Sequence, residues 1–140
     1  MKSMTAERFL DTNILLYAGS RAPSDAAKRR IASDLVASLD FAISAQVVQE
    51  YISNALRKEE LGLTELNVQA LLESLDGVTV LPVTVSLIRR AWALRLAHAI
   101  SHWDAAIIAA AQDLGCHTLY SEDLNHGQDY DGVKVINPFL

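Results

Sequence analysis

Seven consecutive small or aliphatic residues, Ala105-Ala106-Ile107-Ile108-Ala109-Ala110-Ala111, follow Asp104 and narrow what this chain can fold into. Ser101-His102-Trp103-Asp104 ahead of them is a serine-to-acid pattern that starts helices, and Gly115 behind them suits a helix end. A helix from Trp103 to Leu114 then has almost no polar face and must be covered on all sides. The run is too short to span a bilayer and gives way to Gln112 and Asp113. It reads as a central, buried helix, and an acid in its first turn is favoured by the helix dipole.

Around that helix, short apolar runs alternate with helical spacing. Arg8-Phe9-Leu10-Asp11 reads as a strand, followed by a helix that starts at Thr12-Asn13, runs through Ile14-Leu15-Leu16-Tyr17 and ends at Gly19. Ser24-Asp25 looks like an N-cap for a helix from Ala26 to Leu39, with Ile31, Leu35 and Leu39 inward. Phe41-Ala42-Ile43-Ser44 is a second strand. The helix behind it, Ala45 to Lys58, turns Val47, Val48, Tyr51, Ile52 and Ala55 or Leu56 inward. Thr64 to Leu75 is helical and closed by Asp76-Gly77, and Val78-Thr79-Val80-Leu81 is a strand stopped by Pro82. Thr84 to Ala99 has helical spacing, with Val85, Ile88, Ala91 or Trp92, and Leu96 on the expected inner side. His117-Thr118-Leu119-Tyr120 and Val133 to Ile136 complete four to five strands. Strands separated by helices give an α/β fold: one domain over residues 1–140, with a central parallel sheet and helices on both faces. In such sheets the working site lies beyond the carboxyl ends of the strands.

Composition excludes several classes. At 51% hydrophobic and 21% charged, the chain buries a core and is not a disordered tail. A mean hydropathy of +0.16 is high and suggests a thoroughly buried sheet, an oligomer interface or a partner groove. Cys116 stands alone, so neither an internal disulfide nor a cysteine zinc cluster forms. The start, Met1 to Arg8, has no apolar segment behind its basic residue, which predicts a cytoplasmic location without a secretory signal. The net charge of −5, from 12 basic and 17 acidic residues, argues against a nucleic-acid binder unless some acids share a pocket. Setting four aside leaves 12 against 13.

Four acids are candidates. Asp11 ends the first strand, Glu50 lies on a stripe with Gln46 and Asn54, Asp104 opens the buried helix, and Asp123 follows the fourth strand. Each has an ordinary explanation taken singly: a cap, a solvated face, a capping box, a turn. Glu122 competes with Asp123, because alternation along extended chain lets only one of them face a pocket. Together the four come from four elements that meet at one sheet edge. There they would raise each other's pKa unless a divalent cation intervened. Oxygen donors without Cys or a His pair suit Mg²⁺ or Mn²⁺, as in phosphodiester hydrolysis.

Phe9-Leu10-Asp11-Thr12-Asn13, the Ser44 to Glu50 stretch, Trp103-Asp104 with Ala105 to Ala111, and Leu119-Tyr120-Ser121-Glu122-Asp123-Leu124 resemble the ordered motifs of PIN-domain proteins. The likeness is greatest to the VapC-type toxins of toxin–antitoxin pairs. It implies a PIN-like three-layer sandwich and an Mg²⁺- or Mn²⁺-dependent endoribonuclease. It also implies a homodimer and a cognate antitoxin that covers the groove. By the same resemblance Asp11, Glu50, Asp104 and Asp123 are catalytic, Asp11 and Asp104 bind the metal directly, and Asn13, Ser44 and Ser121 support them.

Other features carry less. The four histidines have no zinc spacing, and nucleophile-elbow and phosphate-loop patterns are absent from the sequence. Lys28-Arg29-Arg30, Arg57-Lys58 and Arg89-Arg90 could flank the acids and bind RNA phosphates, and Arg95 could reach a pocket acid or a dimer partner. Leu56, Leu61, Leu63, Leu66 and Leu71, with Tyr51 and Ile52, fill the core or line a groove for an antitoxin helix. Three alternatives share the architecture: a PIN nuclease of RNA maturation or decay without an antitoxin, a non-catalytic binding module, and a phospho-acceptor signalling domain. The last needs paired acids after the first strand and an Asp after the third. Asp11 has no acidic neighbour and Val80-Leu81-Pro82 supplies no Asp.

Overall fold

The computed structural model describes residues 7–140, so most of the stretch read as lacking a secretory signal lies outside it. The elements in chain order are β1 (Arg8–Leu10), α1 (Thr12–Gly19), α2 (Ala26–Ala37), β2 (Ala42–Ser44), α3 (Ala45–Arg57), α4 (Glu65–Ser74), β3 (Thr79–Leu81), α5 (Val85–His98), α6 (His102–Asp113), β4 (Thr118–Tyr120), β5 (Asp129–Tyr130) and β6 (Val133–Ile136). The strands form one sheet in the order β3-β2-β1-β4-β6-β5. All pairings are parallel except β5 with β6, a short antiparallel edge added to the expected strands.

Consecutive strand residues point to opposite faces. Phe9 and Leu10 are both wholly buried, as are Ala42 and Ile43, so helices cover both faces of the sheet. The connectivity is decisive for the site. From β1 the chain steps to β2 and β3 on one side, then returns to lay β4 and β6 on the other. The strand order therefore reverses at the β1–β4 junction, where open α/β sheets form a crevice at their carboxyl ends. Asp11 leaves β1 and Ser121 leaves β4 at this junction, and the Asp11 N–H continues the ladder to the Tyr120 carbonyl at 3.0 Å.

The helix α6 is as buried as its composition requires: Ala105 through Ala111 are all inaccessible or nearly so. It lies over β2, β4 and β6, with α5 packed along it. Its alanines let it approach the sheet closely while Ile107 and Ile108 fill the space between. Gly115 ends it at φ 71°, a left-handed conformation that glycine adopts without strain.

Two helices turn differently from expectation. In α5 the buried residues are Leu87, Ala91 and Leu94, whereas Val85, Ile88, Trp92 and Leu96 are exposed. The helix has two apolar stripes, and the one carrying Ala91 fits closer to α6. In α2 the buried residue is Ala32, flanked by Leu35 and Val36, while Ile31 and Leu39 are exposed. Leu39 lies past the helix end at φ 55°. Asp25 does not cap α2; its carboxylate accepts instead from the Ser20 hydroxyl at 2.7 Å. Among the described residues no helix is long and apolar enough to cross a membrane.

Replacing a fully buried α6 side chain leaves a void under the sheet. Ile108→Ala is expected to cost about 2–5 kcal/mol, read as a lower denaturant midpoint at unchanged slope.

Candidate active site

Asp11, Glu50, Asp104 and Asp123 line one open cavity of about 560 Å³ at the carboxyl edge of the sheet. Different local rules bring each there. Asp11 is the last residue before α1 and is its N-cap: Oδ1 accepts from the Thr12 N–H at 2.7 Å. Its other oxygen, Oδ2, accepts from the Ser121 hydroxyl at 2.7 Å, across the β1–β4 junction. Glu50 sits two turns into α3, whose N-terminus is capped by Ser44, the buried hydroxyl accepting from the Val47 N–H at 3.3 Å. The Glu50 carboxylate accepts from the Thr12 hydroxyl at 2.7 Å and from the Gln46 amide at 3.3 Å. Asp104 is in the first turn of α6, where its N–H donates to the Ser101 Oγ at 3.1 Å. Asp123 accepts from the Asn13 amide at 3.1 Å, and its own N–H donates to the Ser121 Oγ at 3.1 Å.

Ser121 thus ties two of the acids together, and Asn13 holds a third strand-end residue through the Glu122 N–H at 3.4 Å. Ser44 acts one step back, by fixing the start of the helix that carries Glu50. Thr12 had been read only as a helix start; its hydroxyl on Glu50 joins two elements 38 residues apart in sequence. A residue beside a strand-end acid on a helix N-terminus was the available signal.

Both Glu122 and Asp123 line the cavity, contrary to the expected choice between them. Alternation fails because residues 122–124 are bends, not extended strand. Their partners differ. Glu122 is ion-paired with Lys28 and accepts from the Tyr17 hydroxyl at 2.7 Å. Burial pushes the Glu122 carboxyl up, but Lys28 and Tyr17 outweigh it and hold the group below the usual range. Arg95 does not reach the cavity and lies over the Trp92 ring at 5.4 Å. Of the basic clusters, Lys58 lines the rim, while Arg29 donates to the Ser20 carbonyl at 2.9 Å.

The electrostatics follow from crowding acids in a buried place. Desolvation pushes the Asp11 pKa from 3.8 to about 7. Its bonds from Ser121 and Thr12 oppose that rise, and the charges of Asp123 and Glu50 reinforce it. Asp104 is raised for the same reasons: burial first, then Asp123 and Glu50, against the Ser101 hydroxyl. The same two acids act on both groups, so the four form one electrostatic unit.

Among the described residues no three His, Cys, Asp or Glu side chains stand close enough to enclose an ion together. That is not a mismatch with Mg²⁺ or Mn²⁺. Mg²⁺ keeps several waters and takes one or two carboxylates with the substrate's oxygens. Asp11 and Asp104, two carboxylates destabilised by burial and by the charges of Asp123 and Glu50, have the donor chemistry such an ion takes.

An α/β sheet with a carboxylate-lined crevice at its switch point is the class this geometry defines. The model of the PIN domain matches residues 8–128, and the chain belongs to the PIN-domain family. No curated protein sequence gives a significant match. Solved structures share the fold. A toxin–antitoxin complex from Klebsiella pneumoniae is similar at 24% identity and a TM-score of 0.64, over 94% of this chain and 97% of that one. The VapC20 toxin of Mycobacterium tuberculosis, described as cleaving the sarcin–ricin loop, has 24% identity and a TM-score of 0.63, over 83% and 89%. FitAB bound to a DNA fragment has 22% identity and a TM-score of 0.67, over 95% and 96%.

A carboxyl group whose pKa rises on folding stabilises the folded state only while protonated. Without divalent cations, the Asp11 contribution to stability should be greatest below about pH 4 and fall as pH rises to about 7, by on the order of 4 kcal/mol. Asp11→Asn should flatten that decline, and Mg²⁺ should offset it in the wild type; melting temperatures in EDTA and in Mg²⁺ across this range test both.

Proposed function

We propose that this protein is an Mg²⁺- or Mn²⁺-dependent endoribonuclease and the toxin of a toxin–antitoxin pair. The observation that carries the reading is the buried Asp11 carboxylate, its pKa raised to about 7, sharing one open cavity with Glu50, Asp104 and Asp123. Folding expends stability to keep these charges together, which a binding scaffold has no need to do. Membership of the PIN family and the fold shared with toxin structures support the same reading.

In this reading Asp11 and Asp104 hold the cation, with Glu50 and Asp123 completing the shell through water. When bound there, the cation offsets the charge of the scissile phosphate and acidifies the attacking water. The chain's own part is positioning. The Thr12 N–H and Ser121 hydroxyl fix both oxygens of Asp11, so its orientation is set before substrate arrives. The Thr12 hydroxyl and Gln46 fix Glu50, and Asn13 fixes Asp123. Glu50 or Asp123 is placed to orient the attacking water and accept its proton. Lys58 on the rim supplies positive charge for a neighbouring phosphate of the RNA.

Two apolar surfaces suit the protein partners. Val85, Trp92 and Leu96 form one stripe along α5, spaced as a single helical face. Such a stripe pairs with its own copy about a two-fold axis, giving a homodimer. Leu56 at the end of α3 and Leu66 at the start of α4, both exposed, offer a separate apolar seat for an amphipathic antitoxin helix. The neighbours solved as toxin–antitoxin complexes favour such a partner.

Purified protein should cleave RNA with Mg²⁺ or Mn²⁺ and stop on addition of EDTA. Asp11→Asn or Asp104→Asn should lower the rate at least a hundredfold with the fold retained by circular dichroism; a wild-type rate for Asp11→Asn would overturn the assignment. Trp92→Glu or Leu96→Glu should turn a dimer into a monomer in light scattering, while Leu66→Glu should leave the dimer intact.

A further inference from the structure

The acidic cavity shares a wall with a second one. Glu50 and Trp103 line both, and the second has a volume of about 590 Å³. Its chemistry differs. Among the described residues no lysine or arginine lines it, and Glu50, already bonded by Thr12, is the one acid there. The floor is apolar, from Leu87 and Ile88 of α5 and Ala106 of α6, while Gln46, Gln49 and Ser53 of α3 add uncharged donors and acceptors. A cavity of this kind has nothing to hold a phosphate. It matches a flat, neutral, hydrogen-bonding ring.

Trp103 stands at the partition and is 63% exposed, an unusual state for an indole with an apolar hollow beside it. Its backbone is nonetheless held. The Gln46 amide donates to the Trp103 carbonyl at 3.3 Å and to Glu50 at 3.3 Å, which ties the backbone under the indole to the acid cluster. The His102 ring meets the indole edge-on, with centroids 5.1 Å apart. A held aromatic surface between a phosphate-handling cavity and a neutral one is the arrangement by which unpaired bases are bound, because every base presents a stacking face.

We propose that the second cavity is a nucleobase pocket, in which Trp103 stacks an unpaired base next to the scissile phosphate and the Gln46, Gln49 and Ser53 side chains meet its edge. The inference rests on the ribonuclease reading and adds to it a preference for single-stranded substrate. Trp103 is a binding residue here, with no role in the bond-breaking step.

The chain has two tryptophans, Trp92 and Trp103, so each can be watched alone. In an Asp11→Asn background with Mg²⁺, Trp92→Phe leaves Trp103 as the sole indole and Trp103→Phe leaves Trp92. A short, end-labelled single-stranded oligoribonucleotide of mixed sequence is titrated into each, with binding followed by label anisotropy. Saturating quenching of Trp103, its absence for Trp92, and weaker quenching by a blunt duplex of the same sequence are expected. In the active protein Trp103→Ala should raise KM roughly five- to a hundredfold, the size of one stacked base, with kcat and melting temperature little changed. If the wild type cleaves RNA and the strand binds while Trp103 stays unquenched, the pocket is wrong and the nuclease reading stands. Equal quenching by the duplex, or a Trp103→Ala variant that loses a protein partner but keeps its KM, would also overturn it. If the strand does not bind and the wild type does not cleave, both readings fall.

Discussion

A carboxylate buried at the end of a central strand is the constraint on which the rest of this molecule turns. Asp11 is almost inaccessible, and ionising it there is costly enough to move its pKa from 3.8 to about 7. Two donors limit that cost: the Thr12 N–H, from the next residue, and the Ser121 hydroxyl, from a distant part of the fold. The first is available because α1 begins at once after β1. The second is available because β4 lies directly beside β1, 110 residues later in sequence. The site therefore exists only when the sheet is assembled in its final order.

That order also explains why no single segment carries the site. With β1 and β4 side by side where the strand order reverses, four passages of the chain along this edge carry the acids: leaving β1, entering α3, entering α6 and leaving β4. One acid comes from each passage. The supporting residues follow the same logic, since Thr12 reaches across to Glu50, Asn13 to Asp123, and Ser121 to Asp11. Each hydrogen bond joins a residue at the β1–α1 junction to a later passage, so the geometry of the acids and the closure of the fold are set by the same contacts.

Much of this was legible in the residues. The apolar run after Asp104 could only be a central helix, and Asp11 after Phe9-Leu10 could only be a strand end. What stayed hidden has a common cause: periodicity reports which residues are apolar, not which apolar face wins. In α5 the stripe with Val85, Ile88, Trp92 and Leu96 has more apolar bulk, yet Leu87, Ala91 and Leu94 are the buried set, because small Ala91 allows contact with α6. The side facing α6 was a property of the neighbouring helix. Likewise Glu122 and Asp123 could not be separated by alternation, since the rule presumes an extended chain and residues 122–124 bend. Ser20 taking Asp25 away from the start of α2 is a contact across a loop that local capping patterns do not encode.

The charge of the chain fits this arrangement. Seventeen acids against twelve bases would repel RNA if spread evenly. Several are neutralised in pairs, Lys28 with Glu122 and Arg90 with Asp113, and four of the others crowd one cavity. In the proposed reading the cation that binds there does two things at once. It removes the local repulsion that would exclude a phosphate, and it relieves the burial cost that Asp11 and Asp104 carry. Substrate entry and site stability then depend on the same ion, and the neutral cavity beyond Glu50 remains suited to the uncharged part of the strand.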